Sequence, residues 1–206
     1  MSDMIRNLEL ATGGPNPEVL GVVVVAVDCE GHEILSHYSG KTSLNLNANL
    51  IDETSVFRLA SCTKLITAIA ALRLLFQTHS QPLLALDDLE LISTHLPELT
   101  ALDIIDSSPG NKDFAYRSRV KPLTLRHLLT HTSGVGYDMV DPRLRAWRKR
   151  RGERTMSLHG PLPEAVTRPL LFEPGEGWVY GGGVWTRYQD ERSRLLIFST
   201  FQTQGQ

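Results

Sequence analysis

The feature that most constrains this chain is the stretch at residues 57–72, Phe-Arg-Leu-Ala-Ser-Cys-Thr-Lys-Leu-Ile-Thr-Ala-Ile-Ala-Ala-Leu. Good helix formers follow Ser61 without a break, which predicts a helix with Ser61 at or near its N-cap and an end near Thr78. Leu65, Ile66, Ala68, Ile69, Leu72, Leu74 and Leu75 fall nearly all round that helix, the pattern of a buried helix rather than an amphipathic one. Side chains three apart share a helix face, so Lys64 lies one turn along from Ser61. A serine and a lysine at the mouth of a buried helix suit nucleophilic catalysis. The helix N-terminus offers backbone N–H groups and a positive dipole to a developing oxyanion. Apolar surroundings are expected to lower the lysine's pKa and make it a base. A plain structural reading stands beside this one: a serine cap followed by a lysine that snorkels to water. Ser118-Arg119-Val120-Lys121 shows how easily the pattern arises, because it repeats the spacing in a polar stretch before Pro122.

The length of 206 residues suits one domain, or one domain with a subdomain, and 41% apolar residues allow a packed core. A net charge of -2 argues against bulk nucleic-acid or acidic-membrane binding. No apolar run is expected to span a membrane, and residues 1–6 lack a signal-peptide plan. Two cysteines, Cys29 and Cys62, give no disulfide framework. Cys62 reads as a buried, inert thiol. A soluble cytoplasmic protein is the default expectation.

Taken in order, residues 4–13 predict a short helix ended by Gly13-Gly14-Pro15. The valine-rich run at 19–27 reads as a fully buried strand, and 33–40 as its hairpin partner across a turn at 28–31. Residues 41–53 read as loop. Lys41-Thr42-Ser43 looks like the Lys-Thr-Gly signature of some acyl-transfer enzymes, but it precedes Ser61 and reads as coincidence. Residues 83–99 predict short helices and 103–121 a polar loop. Thr124 to His131 predicts a helix capped by Thr124 and stopped by Gly134. His127 and His131 have a metal-compatible spacing, yet no third ligand is evident, so hydrogen bonds to the next loop are the better reading. The basic run from Arg143 to Arg154, with Trp147 inside it, reads as a solvated helix face rather than a nucleic-acid patch. Residues 162–171 predict another helix. Tyr180 then precedes Gly181-Gly182-Gly183, where glycines permit close approach to a ligand. Tyr180 is open to two readings, a proton shuttle or a packed loop tyrosine.

Three segments together resemble the serine β-lactamase and penicillin-binding-protein superfamily. They are Arg58 to Lys64, Leu123 to Gly134, and Phe172-Glu173-Pro174-Gly175 with Tyr180. The likeness is to the class C-like esterase and transesterase branch, which includes fungal acyltransferases of the lovastatin pathway. It implies an α+β fold of β-lactamase/transpeptidase type, an antiparallel sheet flanked by helices. Residues 1–183 would supply the N-terminal portion, with a helical subdomain at about 80–170. The resemblance further implies that Ser61 is the acylated nucleophile, with Lys64 and Tyr180 sharing the proton work. The substrate would be a small-molecule ester, thioester or amide, with no cofactor and no metal. Gly182 stands where the family usually carries an amide or hydroxyl, a change that esterase-like members tolerate.

Family members usually continue well past this tyrosine, with most of the sheet and a third motif still to come. Residues 184–206 do not resemble them, and the C-terminal part of the sheet is expected to be missing. The expected function is a serine-dependent acyl transfer through acyl-Ser61. The alternative is a catalytically inactive, truncated member that acts as a binding fragment. A nucleic-acid or scaffold role resting on the arginine run is the weakest reading.

Overall fold

The computed structural model describes residues 2–106, 114–155 and 167–182. The chain divides into two compact units, Met1–Arg58 and Leu59–Gln206. The tail at 184–206 lies outside the described residues, as does 156–166, which includes 162–166 of the segment expected to be helical.

In the first unit, α1 (Ser2–Thr12) precedes an antiparallel hairpin of β1 (Gly21–Val27) and β2 (Glu33–Gly40). The register runs from Gly21 opposite Gly40 to Val27 opposite Glu33, with an irregularity at Ala26/Val27. Asp28 forms the turn, its carboxylate accepting from the N–H groups of Glu30 at 2.9 Å and His32 at 2.8 Å. Helix α1 is tied to the hairpin through the Thr12 hydroxyl, 3.0 Å from Ser39 Oγ. The expectation that β1 is fully buried is corrected. No residue of either strand is buried, and Val25 and Val27 are 53% and 57% exposed. Among the described residues the unit has a single helix with no buried residue of its own, too little to cover both faces of a hairpin. Lys41-Thr42-Ser43 lies in the loop after β2, where Lys41 bridges to Leu50 and donates to the Leu46 carbonyl at 3.4 Å.

In the second unit a 3₁₀ turn (Ala60–Cys62) leads into α2 (Thr63–Thr78). Short helices α3 (Pro82–Ala85) and α4 (Leu89–His95) follow, then the hairpin of β3 (Ile104–Asp106) and β4 (Ala115–Arg117). Helices α5 (Leu125–Leu129) and α6 (Pro142–Arg150) complete the described elements. This is an α+β arrangement with small antiparallel sheets. Among the described residues, three clusters form the core. The largest gathers Ile92, Leu96 and Leu99 around Ile104, Leu123, Leu128, Val135 and Leu170. A second joins α2 to Ala85, Leu86 and Leu125, and a third surrounds Leu144 and Trp147.

Helix α2 keeps its predicted length but not its predicted burial. Thr67, Ala71 and Leu75, four apart, form its one buried stripe, while Leu65, Ile66, Ile69 and Phe76 are each more than half exposed. Sequence alone cannot show that only one stripe finds a partner. Contrary to expectation, residues 60–78 are long and apolar enough, by length and composition, to cross a membrane. Ala71 and Leu75 nevertheless pack in a protein core.

Two other segments differ from expectation. The polar stretch at 103–121 contains β3, because Ile104 and Ile105 are buried and pair with β4. Leu170, expected to be helical, lies alongside β3: its N–H donates to Asp103 O at 2.8 Å and its carbonyl accepts from Ile105 N–H at 2.9 Å. The arginine run is not simply a solvated face. Arg148 is buried against Asp138 at 2.9 Å and Glu153 at 2.7 Å, and stacks with Arg151 on the Trp147 ring. A basic side chain on the inner side of α6 is stable because the buried Asp138 carboxylate offsets its charge.

Candidate active site

Ser61 lies in the 3₁₀ turn just before α2, one residue ahead of the helix N-cap, Cys62. The turn is closed by Cys62 N–H to Leu59 O at 3.0 Å and by Thr63 N–H to Ala60 O. The N–H of Ser61 is not one of these donors. Ala60, immediately before it, has φ +47, a left-handed conformation that costs an L-residue roughly 1–2 kcal/mol. Ser61 is exposed, and its hydroxyl makes no hydrogen bond among the described residues. Cys62 beside it is also exposed, which corrects the expectation of a buried thiol.

One turn on, half-buried Lys64 points its ammonium at two tyrosines. Its Nζ donates to Tyr137 Oη at 3.0 Å and lies 5.0 Å from the centre of the Tyr180 ring. Both rings are within cation–π range, Tyr137 at 5.6 Å. The two tyrosine rings meet edge-on at 5.8 Å. The expected drop in the Lys64 pKa is corrected. Burial pushes it down, but hydrogen bonds and charge attraction from Tyr137 and Tyr180 outweigh burial and hold it above the ordinary lysine value. Lys64 is thus a charged donor to phenol oxygens at neutral pH, not a free amine.

The tyrosines are placed by a zipper between two loops. Val179 N–H donates to His131 O at 3.0 Å, Gly175 N–H to Thr132 O at 2.8 Å and Leu171 N–H to Gly134 O at 3.0 Å. Gly134 has φ +82, and a Cβ there would lie 2.6 Å from Phe172 O. A Cβ on Gly181 would lie 1.9 Å from Val135 O. The glycine after Tyr180 therefore serves close approach of the protein's own backbone rather than of a ligand. Buried Glu173 pins the same loop, pairing with Arg117 and accepting from Val120 and Lys121 N–H at 3.2 Å. Burial raises its pKa, and these partners more than reverse the effect. The second Ser-x-x-Lys segment is thus part of a structural corner.

The two histidines of α5 and its C-terminal side divide their work. His127 Nδ1 accepts from Thr124 N–H at 3.3 Å and completes a capping box. His131 has φ +60 and packs on Tyr180 with ring centres 4.7 Å apart. Burial first, then the Lys64 charge, lower its pKa. Lys64 and Tyr180 stand out in the sequence, whereas Tyr137 does not and His131 reads there as structural. The available signal was an aromatic residue directly after Gly134-Val135-Gly136, just past the helix stop.

The segments that carry the likeness therefore converge on one cluster, and comparison with known proteins agrees. The Beta-lactamase family model matches residues 14–183. The chain belongs to the β-lactamase family. Within that family it is 36% identical to the lovastatin esterase of Penicillium rubens over 171 residues, covering 81% of this chain and 41% of the relative. It is 35% identical to acyltransferase calJ of Penicillium decumbens over 199 residues, covering 88% and 46%. The simvastatin synthase LovD of Aspergillus terreus, as its LovD6 mutant, superposes with a TM-score of 0.66 at 28% identity, covering 88% of this chain and 42% of that one. This β-lactamase-family chain spans less than half the length of these relatives.

Proposed function

We propose that this chain carries the nucleophile portion of a serine-dependent acyl-transfer enzyme, an esterase or transesterase working through acyl-Ser61. The observation that supports this reading best is the cluster of Lys64, Tyr137 and Tyr180 one helical turn from an exposed serine. The relatives' names include a lovastatin esterase and a monacolin J acid methylbutanoyltransferase. By analogy the substrate class here is a small-molecule ester, thioester or amide.

Ser61 Oγ attacks the carbonyl carbon, and the serine proton passes into the Lys64–tyrosine cluster. An ammonium cannot accept that proton, so acceptance falls to Tyr180 in the minority state where the cluster has already lost one proton. Lys64 and the Ser61 N–H offset the negative charge that develops. Collapse of the tetrahedral intermediate expels the alcohol, thiol or amine, which takes the proton back from the cluster. Water or an acceptor alcohol then attacks acyl-Ser61 by the same route and restores the serine hydroxyl. No step calls on a metal or cofactor.

A second reading is a catalytically inactive binding fragment, and the exposed apolar residues of α2 favour it. A fluorophosphonate probe separates the two. The expected outcome is labelling of the wild type and of Ser118→Ala, and none of Ser61→Ala. A folded wild type that resists the probe would leave the inactive reading.

A further inference from the structure

The imidazole of His131 is a titratable group beside the lysine–tyrosine cluster that the acyl-transfer scheme does not use. Three observations converge on it. First, His131 grips the Tyr180 segment twice. Its carbonyl accepts from Val179 N–H at 3.0 Å, and its ring packs on the Tyr180 ring with centres 4.7 Å apart and planes tilted by 48°. Trp178 meets the same imidazole edge-on at 6.2 Å. Second, the grip holds His131 at φ +60, a left-handed conformation uncommon outside glycine, in which histidine, like asparagine and aspartate, is over-represented. Third, Nδ1 is shut away from solvent without a hydrogen-bond partner. A histidine kept for its hydrogen bonds looks different: His127, four residues earlier, uses Nδ1 as a cap acceptor. His131 is present for its ring.

We propose that His131 is the positioning residue for Tyr180, an uncharged imidazole seat that holds the tyrosine ring beside Lys64. This deepens the acyl-transfer reading and rests on it, because the seat matters to function only if Tyr180 handles the serine proton. The seat works in one charge state. A protonated ring would set a second cation near the Lys64 ammonium and would bury an Nδ1–H with no acceptor. Among the described residues, the titratable groups around it are Lys64 on α2, Tyr180 against its face and Tyr137 beyond Tyr180. The seat therefore loosens as His131 charges.

Two variants separate ring from backbone. His131→Phe keeps an aromatic seat that cannot titrate, and His131→Asn keeps a residue that tolerates φ +60 but removes the seat. The first measurement is independent of catalysis. The Tyr180 ring resonances, assigned with Tyr180→Phe, are followed by NMR from about pH 5 to 9. They are expected to shift as His131 titrates, below its ordinary value of 6.5, and to stay fixed in His131→Phe. The second is the rate of fluorophosphonate labelling. At pH 8, His131→Phe should label within about threefold of wild type and His131→Asn about tenfold or more slower, as expected for a displaced proton acceptor. Dividing the wild-type profile by that of His131→Phe cancels the titrations the two share, and the ratio should fall about fivefold or more by pH 5. Tyr180 resonances indifferent to His131, or His131→Asn labelling like wild type, would overturn the seat. Should no variant label, the Ser61 reading fails, while the resonances still decide whether the imidazole seats the tyrosine.

Discussion

The two units use similar apolar content to different ends. The first, Met1–Arg58, has a valine-rich hairpin and a helix, yet Ile51 is its only buried apolar residue among those described. The second, from Leu59 onward, closes three apolar clusters and holds Lys64, Tyr137 and Tyr180 beside them. The difference is one of partners rather than composition. Leu128 and Val25 are comparable hydrophobes, but one has a core around it and the other has water. A site that needs fixed side chains is found where packing fixes them.

The sharpest contrast between the units is chemical, and two lysines test it. Lys64→Ala should reduce turnover of a short-chain p-nitrophenyl ester by about a hundredfold or more, the range for loss of a proton-handling group. Lys41→Ala, in the first unit's Lys-Thr-Ser loop, should leave turnover unchanged. Equal losses would erase the contrast. Next in size is packing. Leu128→Ala should cost about 2–5 kcal/mol in a denaturant melt, while Val25→Ala, on a half-exposed strand, should cost under about 1 kcal/mol. Comparable costs would mean that β1 is covered after all.

The pH dependence of labelling sharpens the picture of the second unit. Because Lys64 is held above the ordinary lysine value, the proton-accepting state grows as pH rises. The labelling rate should climb through neutrality and still be rising at about pH 9. A plateau reached below pH 8 would contradict a charged Lys64. The smallest effect is on stability. His127 and His131 both have lowered pKa values in the folded state, burial being the leading cause. Their uncharged folded forms add stability that is present above about pH 6.5 and lost as pH falls through their folded values. The shifted groups of the first unit are Asp28 and Asp52, whose pKa values are lowered from 3.8. For Asp28 the backbone hydrogen bond from His32 N–H leads, and for Asp52 the hydrogen bond from the Thr54 hydroxyl. Their contribution should be lost only in stronger acid. Melts of wild type and His131→Phe between pH 7 and 5 should therefore diverge, with wild type losing more.

Local structure was legible in the sequence where its cause is local. The ends of α2, the Thr124 cap and the β1–β2 pairing follow from helix formers, a capping hydroxyl and a turn aspartate. Burial was not legible, because it depends on which faces distant residues cover. The all-round apolar pattern of α2 therefore overstated its burial. Ile104 looked like part of a polar loop because its partner, Leu170, is far along the chain. In the site, Ser61 and Lys64 were visible as a spacing on one helix. The charge state of Lys64 was not, since two tyrosines from later loops set it. Tyr137 was hidden for the same reason: nothing near it in sequence says that it meets a lysine from another helix.

Gly181 carries a consequence for how this site could vary. An added Cβ would fall 1.9 Å from a neighbouring carbonyl oxygen, so the obstruction is main chain and cannot rotate aside. Every other amino acid, however small, would push the strand of residues next to Tyr180 away from the 131–136 loop. Side chains can swing to relieve a clash, but the spacing between these loops has no such latitude. The spacing that sets Tyr180 beside Lys64 is thus guarded by an atom the sequence does not contain.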